Sequence, residues 1–266
     1  MKKGLGEAER RLFAYVQMRG QATVRAGELV KALRMTAPAE RDLLSRLSKE
    51  GWIARVRRGL YLVPQTLPLG GKWTPGEVLA IDTLMQDVQG AYQFCGLTAF
   101  NRYGWDEQIP TRTYAYNNRM SGARTIGAIG LTLIKVADAR LGGTEEFRPR
   151  DGTVAVYPSR ARALVDAVYD WSRFNTLPRG YRWIRTDLAK KRVAPSDLVE
   201  MTLRYGDVGT RRRMGVLLEG LGVEENLLRK LEKSLAPSRG LIAWIPTARK
   251  RGSIDRRWGV VVNGEA

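Results

Sequence analysis

The chain has 266 residues, of which 45 are lysine or arginine and 27 are aspartate or glutamate, so its formal net charge is +18. It has no histidine and one cysteine, Cys95, which excludes His-based acid/base catalysis, Ser-His and Cys-His nucleophiles, zinc fingers and an internal disulfide. With 44% hydrophobic and 27% charged residues, the composition is typical of a folded protein with room for two domains.

The charge excess indicates an anionic partner, and double-stranded DNA is the leading candidate. A proteome that uses arginine heavily would give the same excess, so charge alone does not decide. No signal-peptide core follows the first lysines, and the most apolar stretches, 126–136 and 241–245, are too short to cross a bilayer. We therefore expect a cytoplasmic protein without membrane contact.

Residues 1–66 read as one domain. Apolar periodicity predicts helices over 7–18 and 26–33, and a third helix from an N-cap at Thr36 to Glu50. Two β-rich runs then meet at Arg57-Arg58-Gly59, which predicts a hairpin. Three short helices followed by a basic hairpin is the order of a winged helix-turn-helix.

The third helix has the pattern of a DNA reader. Leu43, Leu44 and Leu47 fall on one face and must pack inward. The predicted recognition residues on the other side are Thr36, Pro38, Arg41, Asp42, Ser45, Arg46 and Lys49. The predicted wing residues, which would reach phosphates or the minor groove, are Arg55, Arg57 and Arg58. A solvated helix face and a charged edge hairpin would have the same residues, but the charge excess is more than twice as dense over 1–66 as over the rest of the chain.

A Pro- and Gly-rich linker at about 64–73 leads to a second domain, 67–266. For this domain we predict a mixed α/β architecture with a helix-rich second half. The fold class predicted for the whole chain is α+β. Thr74 and Glu77 have capping-box spacing and predict a helix to about residue 86. The further predicted helices are 97–103, 160–174, 181–191, 195–205, 210–221 and 224–235. The predicted strands are 111–117, 131–136, 153–157, 241–245 and 258–262.

No motif predicts catalysis. P-loop, dinucleotide-binding and GxSxG patterns are missing from the sequence. The carboxylates of Glu145, Glu146 and Asp151, together with Lys135, have the residue types of a metal-dependent nuclease cluster. Their spacing matches no motif, and residues 142–146 are typical of a solvated loop. We expect Asp166 to pair with Arg160 or Arg162 and Cys95 to be an inert core thiol. No catalytic residue, metal site or cofactor is predicted.

Three basic clusters stand out in the second domain. They are Lys190, Lys191 and Arg192; Arg211, Arg212 and Arg213; and Arg249, Lys250 and Arg251. Each is a candidate phosphate-binding patch that would contact DNA or RNA, and simple solvated charge is the alternative.

Three segments, 51–64, 94–105 with 108–111, and 158–166, resemble the AbiEi family of antitoxins from type IV toxin–antitoxin systems. The resemblance implies an N-terminal winged helix that represses its own operon at a promoter inverted repeat, with 57–61 as the wing. It also implies a C-terminal domain that provides antitoxicity and whose basic patches assist promoter binding. The implied toxin is a nucleotidyltransferase-like protein, which is countered without a stable complex.

Two other functions stay open from the residues alone. The first is a ligand-responsive winged-helix regulator whose second domain is a sensor, and the second is a nucleic-acid-processing enzyme. No heptad segment is long enough for a coiled coil, so we expect a monomer or weak self-association that is cooperative on DNA.

Overall fold

The computed structural model describes residues 5–68, 71–148, 153–237 and 240–265. The first of these ranges forms three helices and a three-stranded sheet. The elements are α1 (Glu7–Arg19), β1 (Thr23–Arg25), α2 (Glu28–Ala32), α3 (Ala37–Glu50), β2 (Ala54–Arg57) and β3 (Leu60–Leu62). Both strand pairs of the sheet β1-β3-β2 are antiparallel.

The predicted hairpin is β2 and β3, which we call the basic hairpin (residues 54–62). Its turn uses Gly59 at φ 78°, a left-handed conformation that glycine adopts without steric cost. The second predicted helix is shorter than expected, Glu28–Ala32 instead of 26–33, and β1 was not predicted because three residues are too few for an alternating pattern.

The next segment carries two α-helices, a four-stranded mixed sheet and a separate strand pair. Its elements are α4 (Glu77–Asp87), β4 (Tyr92–Phe94), α5 (Gly96–Arg102), β5 (Thr113–Asn117), β6 (Gly122–Ile126), β7 (Ile129–Lys135), β8 (Thr144–Phe147) and β9 (Ala155–Pro158). The order is β4-β5-β7-β6, in which only β5 and β7 run parallel, and β8 and β9 form a separate antiparallel pair.

Three local predictions in this segment were wrong. Strand β6 lies where a polar loop was expected, because four of its five residues are exposed and show no alternation. The segment with Glu145 and Glu146 is strand β8, not a loop, and it too is fully exposed. The capping box does not form, since Gly76 is the N-cap of α4 and the Glu77 carboxylate accepts from the Thr113 hydroxyl instead.

The last part is a helical bundle closed by a small sheet. Its elements are α6 (Arg160–Tyr169), α7 (Trp171–Phe174), α8 (Arg179–Ala189), α9 (Pro195–Tyr205), α10 (Val208–Gly220), α11 (Glu225–Lys233), β10 (Ile242–Ala243), β11 (Ser253–Asp255) and β12 (Val260–Val262). The single helix predicted over 160–174 is interrupted at Asp170, which joins α6 to α7. In α10, Gly215 lets the buried Trp258 ring approach the helix backbone, since a Cβ there would lie 2.2 Å from the ring.

The sheet of the basic hairpin packs on both of its faces. Ile53 and Tyr61 join a core with α1, α2 and α3. Ala54, Val56 and Leu60 join a second core with α4 and the four-stranded sheet. Apolar packing therefore continues across the predicted linker, whose residues 69–70 lie outside the described residues, and the division into 1–66 and 67–266 remains a prediction.

In the part of the chain that the structure describes, no helix is long and apolar enough to cross a membrane.

Candidate nucleic-acid interface

Helix α3 is built as the sequence predicts. The Ala39 N–H donates to the Thr36 hydroxyl at 3.4 Å, Pro38 lies in the first turn, and Gly51 ends the helix at φ 80°. Leu43, Leu44 and Leu47 are buried against the other helices. The predicted recognition residues are exposed, except Ser45, which is half-buried; they are Thr36, Pro38, Arg41, Asp42, Arg46 and Lys49.

A buried carboxylate that the sequence analysis missed fixes α2 against α3. Glu40 is 3% exposed and accepts the backbone N–H groups of Gly27 at 2.6 Å and Leu29 at 2.8 Å. Gly27 is the N-cap of α2, so Glu40 satisfies the open end of a neighbouring helix and places its charge at the positive end of the helix dipole. Glu40, in the first turn of α3, thus fixes the orientation of this helix, which would read DNA, relative to α2.

The basic residues of α3 are not equally free. The Arg46 guanidinium donates to Glu9 of α1 at 2.5 Å, so it turns toward α1. Arg41 and Lys49 have no ion pair with any described residue, and their charges face outward.

The basic hairpin carries two free arginines and one that is held. Arg55, Arg57 and Arg58 are all exposed. Arg57 donates through Nε and Nη2 to the Asp87 carboxylate of α4 and through Nη1 to the Arg58 carbonyl at 2.8 Å. The side chains of Arg55 and Arg58 have no partner among the described residues.

A cleft beside the hairpin adds a basic residue from the second segment. The cleft measures about 510 Å³, and its charged lining is entirely basic: Arg55, Arg57 and Arg58 from the hairpin side and Arg124 from β6. Leu84 and Met120 contribute to its apolar lining. Arg124 was not among the predicted residues because β6 itself was not predicted.

The basic clusters predicted in the second domain, 67–266, differ in exposure. Lys190, Lys191 and Arg192 are exposed after the end of α8. Arg249, Lys250 and Arg251 are also exposed, and the Lys250 ammonium donates to the Leu241 carbonyl.

The third cluster turns inward. Arg211 is half-buried and donates to the carbonyls of Leu203 and Ser234, while Arg212 and Arg213 are buried and donate to those of Gly240 and Ala243. Because these guanidinium groups are used inside the fold, we leave Arg211, Arg212 and Arg213 out of any binding surface.

The residues considered for catalysis are placed as follows. Glu145 accepts from the Tyr103 hydroxyl at 2.6 Å and Glu146 pairs with Arg148 at 3.3 Å, while Asp151 lies outside the described residues. Lys135 is exposed at the end of β7. Within the described ranges, no group of three Cys, Asp or Glu side chains is placed to hold a metal ion.

Two structural expectations are confirmed: the ion pair of Asp166 and the core position of Cys95. Asp166 is buried and pairs with Arg162 at 2.9 Å, and it also receives Arg140 at 2.5 Å. Cys95 is fully buried, and burial raises the pKa of its thiol well above the ordinary value.

Comparison with known families finds a match in the N-terminal segment. Residues 17–64 match the AbiEi family model. Its description is "Transcriptional regulator, AbiEi antitoxin". The match spans the end of α1, the pair α2 and α3, and the basic hairpin, so the AbiEi resemblance predicted from the sequence is confirmed there, with its link to transcription regulation and antitoxins.

The fold is shared with a solved structure. The crystal structure of the RV2827C protein from Mycobacterium tuberculosis has 13% sequence identity to this chain and a TM-score of 0.61, and the alignment covers 97% of this chain and 92% of that one. At this identity the likeness establishes the fold alone. No curated protein matches the chain.

Proposed function

We propose that this protein is a DNA-binding repressor of its own operon and an antitoxin that opposes a nucleotidyltransferase-like toxin without forming a stable complex with it. One observation carries the DNA-binding part: the exposed side of α3 and the basic hairpin both present guanidinium groups that have no partner among the residues the structure describes. These are Arg41 on the helix, and Arg55 and Arg58 on the hairpin. The AbiEi match over the same elements supports this proposal.

In this proposal residues 1–66 act as a winged helix-turn-helix. Helix α3 has 14 residues and is therefore about 21 Å long, and it enters the major groove. Arg41 and Ser45 are one turn apart on the same side and contact base edges. Asp42 beside them accepts from a cytosine amino group and repels phosphates elsewhere, which favours one register on the duplex.

The basic hairpin acts as the wing. Arg55 and Arg58 contact phosphates, and Arg124 extends this contact to the second segment through the cleft that the three residues line. We propose that two copies bind a promoter inverted repeat, either as monomers or through weak contacts on DNA. The exposed clusters 190–192 and 249–251 remain candidate phosphate contacts.

Base reading and phosphate contact are separable by mutation. The double variant Arg41→Ala, Ser45→Ala should lose preference for the DNA upstream of the gene while it keeps affinity for random DNA, because base contacts carry the sequence information. Arg229→Ala is the matched control, since it removes an exposed arginine from α11. Full operator preference in the double variant would refute the role of α3.

The antitoxin role is tested in cells. Expression of this chain from a separate plasmid should restore growth to cells that express the toxin encoded beside it, and a tagged copy should not retain that toxin on a column. Absence of rescue would refute the antitoxin role but not the repressor role.

A ligand-responsive regulator is the second candidate, and one observation favours it. A cleft of about 710 Å³ lies between α8, α9 and the turn before α11, with Leu188, Val193 and Leu221 beside Arg185 and Arg192. A metabolite that raises the melting temperature and weakens DNA binding, with no rescue from a toxin, would favour this function over the first.

A further inference from the structure

The last residue of α4, Asp87, is an acid at a position where negative charge is unfavourable. Asp87 stands at the C-terminal end of the helix, where the dipole disfavours negative charge, and its side chain is only 4% exposed. Its pKa is nevertheless held below the ordinary value, first by hydrogen bonds from Arg57 and then by those from Arg25, although burial acts in the opposite direction. The carboxylate therefore depends on these two guanidinium groups.

The two arginines come from one row of the hairpin sheet. In the strand registers, Leu60 of the central strand is the partner of Arg25 on one side and of Arg57 on the other. The register of β2 shifts at a bulge between Arg55 and Arg57, and the contacts with Asp87 show that the side chains of Arg25 and Arg57 lie on the α4 side of the sheet, as Leu60 does. Leu60 enters the apolar core with α4, while Arg25 reaches Asp87 at 2.8 Å and Arg57 reaches it through two hydrogen bonds.

Arg57 also supports the tip of the basic hairpin. Its Nη1 donates to the Arg58 carbonyl at 2.8 Å, and the neighbouring Gly59 carbonyl accepts from the Ala26 N–H at 2.9 Å. Asp87 thus holds, through Arg57, the turn from which the free Arg58 side chain extends. Helix α4 in this way orients Arg58, a proposed DNA contact of the basic hairpin.

We propose that Asp87 is a positioning residue that controls how selectively the basic hairpin binds nucleic acid. It keeps Arg25 and Arg57 away from phosphates and fixes the turn that presents Arg58. A free guanidinium beside the interface would bind phosphates of any sequence and raise the affinity for all DNA. Because Asp87 occupies two guanidinium groups, nonspecific affinity falls and the specific site is favoured over random DNA. This inference rests on the proposed DNA-binding function and assigns Asp87 a part in its selectivity.

The test compares two neutral variants of α4 in the full chain. Asp87→Asn frees both arginines. Asp82→Asn removes the same charge from the same helix at a residue that accepts from Gln86 and, in the described ranges, pairs with no arginine. Binding to a random duplex and to the upstream duplex is measured across a salt series. We expect Asp87→Asn to bind the random duplex about tenfold more tightly at low salt, with a salt slope steeper by roughly 0.9 for each released arginine that reaches a phosphate.

The ratio of affinities for the upstream and the random duplex should fall in Asp87→Asn, and it should be retained in Asp82→Asn and largely recovered in Asp87→Glu. Equal slopes and ratios in Asp87→Asn and Asp82→Asn would overturn the proposal. So would an equal loss of affinity for both duplexes in Asp87→Asn, since that result assigns the residue to stability alone.

A second pair of variants applies if Asp87→Asn does not fold. Arg58→Ala should lower the salt slope by roughly 0.9, whereas Arg57→Ala should lower it by clearly less, because the Arg57 guanidinium is held by Asp87 and acts only through the turn that presents Arg58. Equal decreases in both variants would overturn the proposal. If the wild-type chain has no preference for the upstream duplex, the repressor function fails, but the slopes on random duplex, or on heparin as a polyanion without sequence, still decide the role of Asp87.

Discussion

Removal of the Glu40 carboxylate should destabilise the helix pair that would read DNA. The carboxylate makes two hydrogen bonds to backbone N–H groups, and it is 3% exposed. Leu29 is fully buried, so its N–H would lose its partner without gaining water, whereas Gly27 is exposed and its N–H can be hydrated. A hydrogen bond to a charged group contributes about 1.5–3 kcal/mol, and we therefore expect Glu40→Ala to lower the free energy of unfolding by about 2–3 kcal/mol.

Urea unfolding followed by circular dichroism measures this loss. Glu40→Gln keeps the shape of the side chain and one acceptor oxygen, so its loss should be smaller, about 1–2 kcal/mol. Glu50→Ala is the matched control, because Glu50 is an exposed acid at the end of the same helix and should cost less than about 0.5 kcal/mol. If Glu40→Ala and Glu50→Ala unfold at the same urea concentration, the argument that Glu40 caps α2 is refuted.

Three more predictions follow from buried or paired groups. Asp166→Asn should cost about 3–5 kcal/mol, because it leaves Arg140 and the fully buried Arg162 without their counter-charge; an unchanged melting temperature would contradict this. Cys95 should not react with a thiol reagent at pH 8 until denaturant unfolds the chain, because the thiol is buried and its pKa is raised; labelling of the native protein would contradict this. Since the pKa of Asp87 lies below its ordinary value near 3.9, its ion pairs stabilise the fold above that pH and are lost as pH falls through the lower folded value. The stability difference between wild type and Asp87→Asn should then be constant from about pH 5 to 8 and shrink below about pH 4, and a difference that grows at low pH would contradict this sign.

The elements with local signals were predictable from the sequence. Helix α9 begins and ends where expected, Pro195–Tyr205, because proline favours the first helical position and Gly206 follows the end. The pair Arg162 and Asp166 was predicted because residues four apart face each other on a helix. The limits of α3 were found because Thr36 and Gly51 are strong end signals.

What the sequence analysis missed depends on contacts between distant residues. Glu40 caps a helix whose N-cap is thirteen positions earlier, and Arg57 pairs with an acid thirty positions later. Strand β6 has no alternation to detect because four consecutive residues, 122–125, are exposed and only Ile126 is buried. Arg212 and Arg213 were assigned to a surface patch because arginine is mostly exposed, yet both are buried and each donates to a backbone carbonyl inside the fold.

The central claim is that this chain recognises a DNA sequence through α3 and phosphates through the basic hairpin. The most direct test is binding of the full chain, across a salt series, to the DNA immediately upstream of its gene and to a scrambled duplex of the same composition. We predict clearly tighter binding to the upstream DNA at every salt concentration, with affinity for both duplexes falling as salt rises because phosphate contacts release counterions. Equal affinity for the two duplexes across the whole series would contradict the claim and leave only a basic protein that binds polyanions.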